Sequence, residues 1–294
     1  MPVLGHTQYG KAEVRVVRVF RDTDPHRIAD HNVSVALSGD FADTHLTGDN
    51  SGVLTTDAIR NTVNAFAREA GDAVGAPEAF GRELARHFTA VPQVSRARVR
   101  IETYPWRRLE HDGQPHPHAF TRDGGHTRTT TVTATDDGGG WTVSGVAGLV
   151  VLKTTGSEFH GFHVDRYTTL APTTDRMLAT EVSAQWWHAD DPADWNDSHR
   201  TVLGALTSAF AGHHSLSLQQ TLHHVGVAVL TAGPGIGEIR LSLPNKHHLL
   251  VDLSPFGLDN PGEVFHADDR PYGLIEGAVR RDDLPDPGPA FAGW

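Results

Sequence analysis

The sequence predicts an α+β fold: two tandem halves, each an antiparallel four-stranded sheet with two helices on one face. Three observations carry this expectation. Apolar repeats occur in a similar order on both sides of a glycine run, Asp137-Gly138-Gly139-Gly140, which reads as a loop or hinge. Leu54-Thr55-Thr56-Asp57-Ala58-Ile59 in the first half returns as Pro172-Thr173-Thr174-Asp175-Arg176-Met177 in the second. With 294 residues, the chain is long enough for two cores.

Val14 to Phe20 predicts an opening strand. Ile59, Val63, Phe66 and Ala70 then follow helical spacing, with a Thr or Asp N-cap before them and Gly71 as a stop. Phe80, Leu84 and Phe88 predict a second helix. Ala97, Val99 and Ile101 alternate with Arg96, Arg98, Arg100 and Glu102, as a half-buried strand does, and the run leads to Pro105. Beyond the glycine run, Trp141 to Leu152 predicts the strand that opens the second half. Leu178, Val182 and Trp186 recur every four residues and predict a helix; Val202, Leu206 and Phe210 predict its partner. Val225, Val227 and Val229 alternate and predict a strand. Gly233-Pro234-Gly235-Ile236-Gly237 lacks the lysine of a phosphate loop and reads as a turn between strands, before Ile239-Arg240-Leu241 leading to Pro244. The order is strand, strand, helix, helix, strand, strand, twice. The expected domains are 1–137 and 138–284, with 285–294, bearing Pro285, Pro287 and Pro289, as a flexible tail. Open sheet edges must be covered, and oligomerisation does so.

Composition narrows the function. No apolar run approaches the roughly 20 residues of a membrane span. Met1 to Arg15 lacks a signal-peptide pattern, and Phe291-Ala292-Gly293-Trp294 is not the peroxisomal tripeptide address, so a cytoplasmic bacterial protein is expected. There are no cysteines, which excludes disulfides, thiolate metal sites and cysteine nucleophiles. A net charge of −11 disfavours nucleic acid as a partner. The substrate is expected to be small and, if anionic, to meet a local cation. Lys11, Lys153 and Lys246 are the only lysines among many arginines. Guanidinium cannot replace an amine as a base, so each lysine is a functional candidate.

Six segments then stand together. They are Tyr9-Gly10-Lys11, Thr55 to Thr62, Phe159-His160-Gly161-Phe162 with Asp165 to Leu170, Asp175-Arg176, Ser217-Leu218-Gln219, and Leu243-Pro244-Asn245-Lys246-His247. In this order they resemble the uricases, and the resemblance spans nearly the whole chain. It implies two tandem tunnelling-fold (T-fold) domains whose sheets close into barrels on oligomerisation. It also implies a homotetramer with sites at subunit interfaces and cofactor-free oxidation of urate by dioxygen.

The residue chemistry is compatible. Urate is flat and anionic. Arg176 offers paired N–H donors, Gln219 a donor and an acceptor, and Phe159 a stacking face. Backbone N–H groups of Asp57 and Leu218 complete the edges, the former at a helix N-terminus. Lys11 is expected to accept a proton through the Thr56 hydroxyl, with His247 extending the relay. The resemblance puts Asn245 above the ring, where it and Thr56 would hold dioxygen and then water. Each residue also has an ordinary use: Arg176 exposed in a helix's first turn, Phe159 in the core, Gln219 solvated, Asp57 as an N-cap. Their joint occurrence favours a site. The histidine clusters His116-Pro117-His118, His213-His214 and His223-His224 lack the helical spacing of a zinc site, so no metal is expected. The alternatives are another T-fold enzyme acting on a pterin or purine, and a non-catalytic purine binder.

Overall fold

The computed structural model describes residues 2–22 and 24–292. In chain order the elements are β1 (Tyr9–Phe20), β2 (Arg27–Gly39), α1 (Ala42–Leu46), α2 (Thr56–Glu69), α3 (Pro77–Thr89), β3 (Val94–Thr103), β4 (Trp106–His111), β5 (Gln114–Arg122), β6 (Thr127–Thr135), β7 (Gly140–Lys153), β8 (Leu178–His188), α4 (Trp195–Gly212), α5 (Leu218–Ala232), β9 (Ile236–Leu250) and β10 (Phe265–Arg280). Leaving aside the short α1 and the β4–β5 hairpin, each half runs strand, strand, helix, helix, strand, strand.

The two sets of four strands form one eight-stranded antiparallel sheet, in the order β1-β2-β3-β6-β7-β8-β9-β10. The glycine run is the tight connection of the β6–β7 hairpin, where Ala134 pairs with Gly140. The expected loop therefore splices two sheets into one. Directly opposed strand residues share a face. Hence Val33, Val35 and Leu37 of β2, opposite Ile101, Val99 and Ala97 of β3, make one apolar surface. α3 packs on it and on β6, and Ile59, Val63 and Ala67 of α2 join the same core. Val146, Ala184 and Leu241 lie side by side in the second half, with Trp186 beside Ile239; α5 covers β9 and β10. Gly226 of α5 lets helix and sheet approach closely, since a Cβ there would lie 2.4 Å from the Val279 side chain.

Four assignments change. Leu178, Val182 and Trp186 belong to strand β8, not to a helix. A four-residue interval is common to the strand and helix periods. The intervening Thr180 and Ala184 are also buried, which fixes period two. Val225 and Val229 belong to α5, where their buried companions are Leu218, Thr221, Leu222 and Gly226, while Val227 faces outward. α4, carrying Val202, Leu206 and Phe210, is thus the first helix of its pair. The Gly233–Gly237 run joins a helix to a strand, and β9 continues through Pro244, whose carbonyl accepts from the Thr180 hydroxyl at 2.9 Å.

The halves meet around a buried carboxylate. Glu78 of α3 accepts from Arg128 (2.6 Å), Thr130 (3.1 Å) and Ser144 (2.6 Å), and Arg128 also reaches Asn196 at the start of α4. Up to Ala292, the expected tail lies against the body: Ala290 is buried, and the Arg240 guanidinium stacks on Phe291 at 4.0 Å. Gly293 and Trp294 lie outside the described residues.

Candidate active site

The first group of candidate residues gathers around β1. Gly10 permits the tight β1–β2 approach, since a Cβ there would sit 1.8 Å from the Val35 carbonyl oxygen. Lys11 pairs with Val35, and the register then slips before Val14 pairs with Val33. Glu13, at φ 58°, absorbs the slip, and its N–H donates to the Ser34 hydroxyl at 3.0 Å. Lys11 contributes to the lining of a cavity of about 390 Å³, with Gln8, Asn32, Ser34, Arg100 and Glu102. The Tyr9 hydroxyl accepts from the Leu54 N–H at 2.9 Å, tying β1 to the segment that enters α2. Burial pushes the Tyr9 phenol up, so it stays protonated.

At that entry Thr55 is the N-cap, its hydroxyl accepting from the Ala58 N–H at 3.0 Å. Asp57 is therefore not the cap. It lies in the first turn, with its carboxylate held by Arg60 and by Asn61 at 2.9 Å. Thr56, the first helical residue, is exposed. Among the described residues, its hydroxyl and the Asp57 N–H, one of the first amides of the helix, have no hydrogen-bond partner.

The second group is built on three short segments. Ser157 and Ser215 form a parallel bridge, in which Glu158 N–H donates to Ser215 (2.8 Å) and Ser215 N–H to Gly156 (3.0 Å). Phe159 and Thr173 exchange backbone bonds at 2.8 and 3.0 Å, and Arg176 N–H donates to the Ser157 carbonyl at 2.8 Å. Arg176 is thus in the irregular segment before β8, not in a helix. Its guanidinium carbon lies 5.1 Å from the Phe159 ring centre, with Nε 3.4 Å from the Ser157 hydroxyl. Desolvation pushes its pKa down, yet a guanidinium remains charged. Phe162 stacks on Phe159, centres 5.1 Å apart and planes 17° apart. The Ser217 hydroxyl caps α5 by accepting from Gln220 N–H at 3.1 Å, leaving Leu218 and Gln219 as the first two helical residues. Gln219 is exposed, and Leu218 is buried with its N–H at the helix start. Asn245 pairs with Thr180 on β8 and Gly273 on β10, and His247 pairs with Asp268.

The first group stands on β1 and the entry to α2, and the second on β9, the segments before β8 and the start of α5. β1 is one edge of the sheet, and β9 lies six strands away. At about 4.8 Å per strand that is roughly 29 Å along the sheet. The scaffold serines 157 and 215 went unread in the sequence, because a bridge between remote segments leaves no periodic trace. Ser217 also went unread as a cap, although a serine just before the first turn of a helix is a signal that could have found it. Among the described residues, no group of three or more His, Cys, Asp or Glu side chains is arranged to hold a metal ion, and no helix is long and apolar enough to cross a membrane.

Known proteins resemble this chain in sequence and fold. The sequence profile of the uricase family matches residues 7–133 and 142–276. The uricase of Arthrobacter globiformis is 49% identical over 281 residues, covering 95% of this chain and 90% of that protein. The uricase of Dictyostelium discoideum is 37% identical over 285 residues, covering 96% and 98%. The crystal structure of the Arthrobacter globiformis uricase superposes with a TM-score of 0.92 at 48% identity, covering 97% of each chain. A Bacillus fastidious uricase structure shares the fold, with a TM-score of 0.79 at 24% identity and 95% coverage of each chain. The chain belongs to the uricase family.

Proposed function

We propose that the protein oxidises urate with dioxygen and water to 5-hydroxyisourate and hydrogen peroxide, without a metal or organic cofactor. The observation that carries this reading is Arg176 held over the Phe159 ring, on a segment bonded to Ser157, which Ser215 bridges to the start of α5. An aromatic floor, a fixed cation and helix-terminal N–H groups suit a flat anion. Gln219 and the N–H of Leu218 address one edge of the ring, and Thr56 and the N–H of Asp57 another. Asn245 lies over the face where dioxygen and then water react, with Thr56 alongside.

Lys11 removes a further proton from urate through Thr56, and His247 passes protons to solvent. The resulting dianion is electron-rich enough to give two electrons to dioxygen, which takes up two protons, one from the relay and one from solvent, and leaves as hydrogen peroxide; water then adds to the oxidised ring to give 5-hydroxyisourate. The lysine contrast supports this role. Lys153 donates to the Phe210 and His213 carbonyls at the end of α4, and Lys246 pairs with Glu181 at 3.2 Å. Among the described residues, Lys11 alone of the three has a side chain without a hydrogen bond or ion pair.

The active unit is an oligomer, proposed as a homotetramer, in which paired subunits close their sheets into a barrel. Each site then joins Lys11, Thr56 and Asp57 of one chain to Phe159, Arg176, Leu218, Gln219, Asn245 and His247 of a neighbour. The six-strand separation of β1 from β9 in one chain supports this. Residues 1–137 and 138–284 act as its two repeating domains. The test is urate absorbance with peroxide detection, before and after exhaustive chelation. Equal urate loss and peroxide release in both arms is expected. No urate loss by the purified protein, or loss abolished by chelation and restored by one metal ion, overturns the reading.

A further inference from the structure

Glu158 occupies a place that the proposed chemistry does not use. One carboxylate oxygen receives His160 Nε2 at 2.8 Å, and the other receives His214 Nε2 at 2.9 Å. His160 is two residues ahead on the same segment, whereas His214 belongs to the segment that leads into α5. Phe159 lies between Glu158 and His160 in an extended stretch bridged to Thr173. Alternate side chains of an extended stretch face opposite ways. The Glu158–His160 pair therefore braces the back of the segment whose front presents Phe159 to Arg176.

We infer that Glu158 is a positioning residue, a clasp that holds the Phe159 floor in register with the start of α5. The inference rests on the functional reading above, because it assigns the floor to a planar purine.

The surroundings isolate this clasp. Glu158 is 16% exposed, its two histidines about half exposed. The hydrogen bonds from His214 and His160 hold its carboxyl below the usual carboxylate range. Of the other charged groups nearby, Asp175 accepts from Thr155, Arg176 is held by Ser157, and His213 stacks on His224. None of these is a hydrogen-bond partner of Glu158. The clasp adds to the Ser157–Ser215 bridge, which backbone atoms alone supply, and it is the part of the assembly that side-chain protonation can alter.

The charge state makes a sharp test possible. A carboxylate accepts from both imidazoles whether they are neutral or charged. A glutamine accepts through its oxygen and donates through its nitrogen, so it satisfies both only while one imidazole is a neutral acceptor. The full-length protein carrying Glu158→Gln or Glu158→Ala is titrated with xanthine, a planar purine used as a non-turnover ligand, across acid to alkaline pH. Urate kcat and KM are measured in parallel. Glu158→Ala is expected to raise the xanthine Kd and the urate KM about threefold to tenfold throughout, the scale of two partly exposed charge-assisted bonds. Its kcat should stay within about twofold. Glu158→Gln should match the wild type at alkaline pH and weaken progressively as the imidazoles take up protons. Xanthine affinities of both variants equal to wild type at every pH overturn the clasp, as does a loss confined to kcat. If the wild-type protein neither binds xanthine nor consumes urate, the functional reading fails, and this inference with it.

Discussion

Lys11 and Arg176 serve different ends of the proposed chemistry. Arg176 is half-buried, tethered to Ser157 and set against an aromatic ring. It is suited to hold an anion in the ground state and the transition state alike, and such uniform binding appears in KM. Lys11 lies on an edge strand, at a register slip and beside a cavity, without a hydrogen bond or ion pair among the described residues. A proton acceptor acts mainly on the reacting state. Lys11→Met should therefore lower kcat roughly 100-fold or more, typical of losing a general base, while xanthine binding changes little. Arg176→Gln should weaken urate and xanthine together. Steady-state kinetics paired with xanthine titration separates the two, and full turnover by Lys11→Met would remove the lysine from the reaction. Both residues could be picked out in the sequence, Lys11 by the scarcity of lysine and both by their motifs. The setting that distinguishes them, Ser157 beneath one and the Glu13 slip beside the other, needs three-dimensional pairing.

Elements with unmixed periods were legible in the sequence: β1, β3, β7, α2, α3 and α4 fall where alternation or helical spacing puts them. β8 and α5 exchanged identities, and each error has a physical cause. Sampling β8 at Leu178, Val182 and Trp186 hid the buried residues between them. Sampling α5 at Val225, Val227 and Val229 took β-branched residues at their strand preference, although tertiary packing buries the helical set Leu222, Val225 and Val229. The β4–β5 hairpin went unread because its mostly exposed residues leave no apolar pattern. The corrected assignment brings two buried histidines together at the junction of the halves. His188 of β8 bonds to the Ser144 hydroxyl at 2.9 Å and meets Trp195 edge-on. His199 of α4 lies 5.4 Å from Trp186. Desolvation lowers both pKa values to about 4. In the unfolded chain they titrate near 6.5, so between about 6.5 and 4 the unfolded state binds more protons and stability falls as pH falls. Each histidine removes about 3 kcal/mol over that span. Urea midpoints measured from pH 7 to pH 4.5, at fixed protein concentration, should drop steeply. His199→Gln should flatten the fall by roughly half; an unchanged slope would show that this imidazole does not drive it.

At the scale of the molecule, the sheet poses a problem that a single chain does not solve. Its β1 and β10 edges carry unpaired backbone groups, and long exposed edges invite pairing with another chain. Its helix-free face is polar, with Arg100, Thr131, Gln185, Arg240 and Glu276 lining a cavity of about 600 Å³. Closing two such sheets edge to edge would pair the edges and bring the β1 group of one subunit to the β9 group of the next. The same closure would put Lys11 and Arg176 of different chains into one site, and this has a countable consequence. Lys11→Met and Arg176→Ala are each expected to be inactive alone. Expressed together from the start, they pair at random, and about half the dimers are mixed. In a mixed dimer with shared sites, one site receives both lesions and the other neither. About a quarter of all sites should therefore recover. If each site were built within one chain, every site would carry one lesion, and mixing would restore nothing. Tagging the two variants differently and purifying the doubly tagged species removes the sampling uncertainty and raises the expected recovery toward half of the sites in each mixed pair. Verified mixed dimers with no more activity than the single variants would rule out the shared site, whatever the oligomer's size.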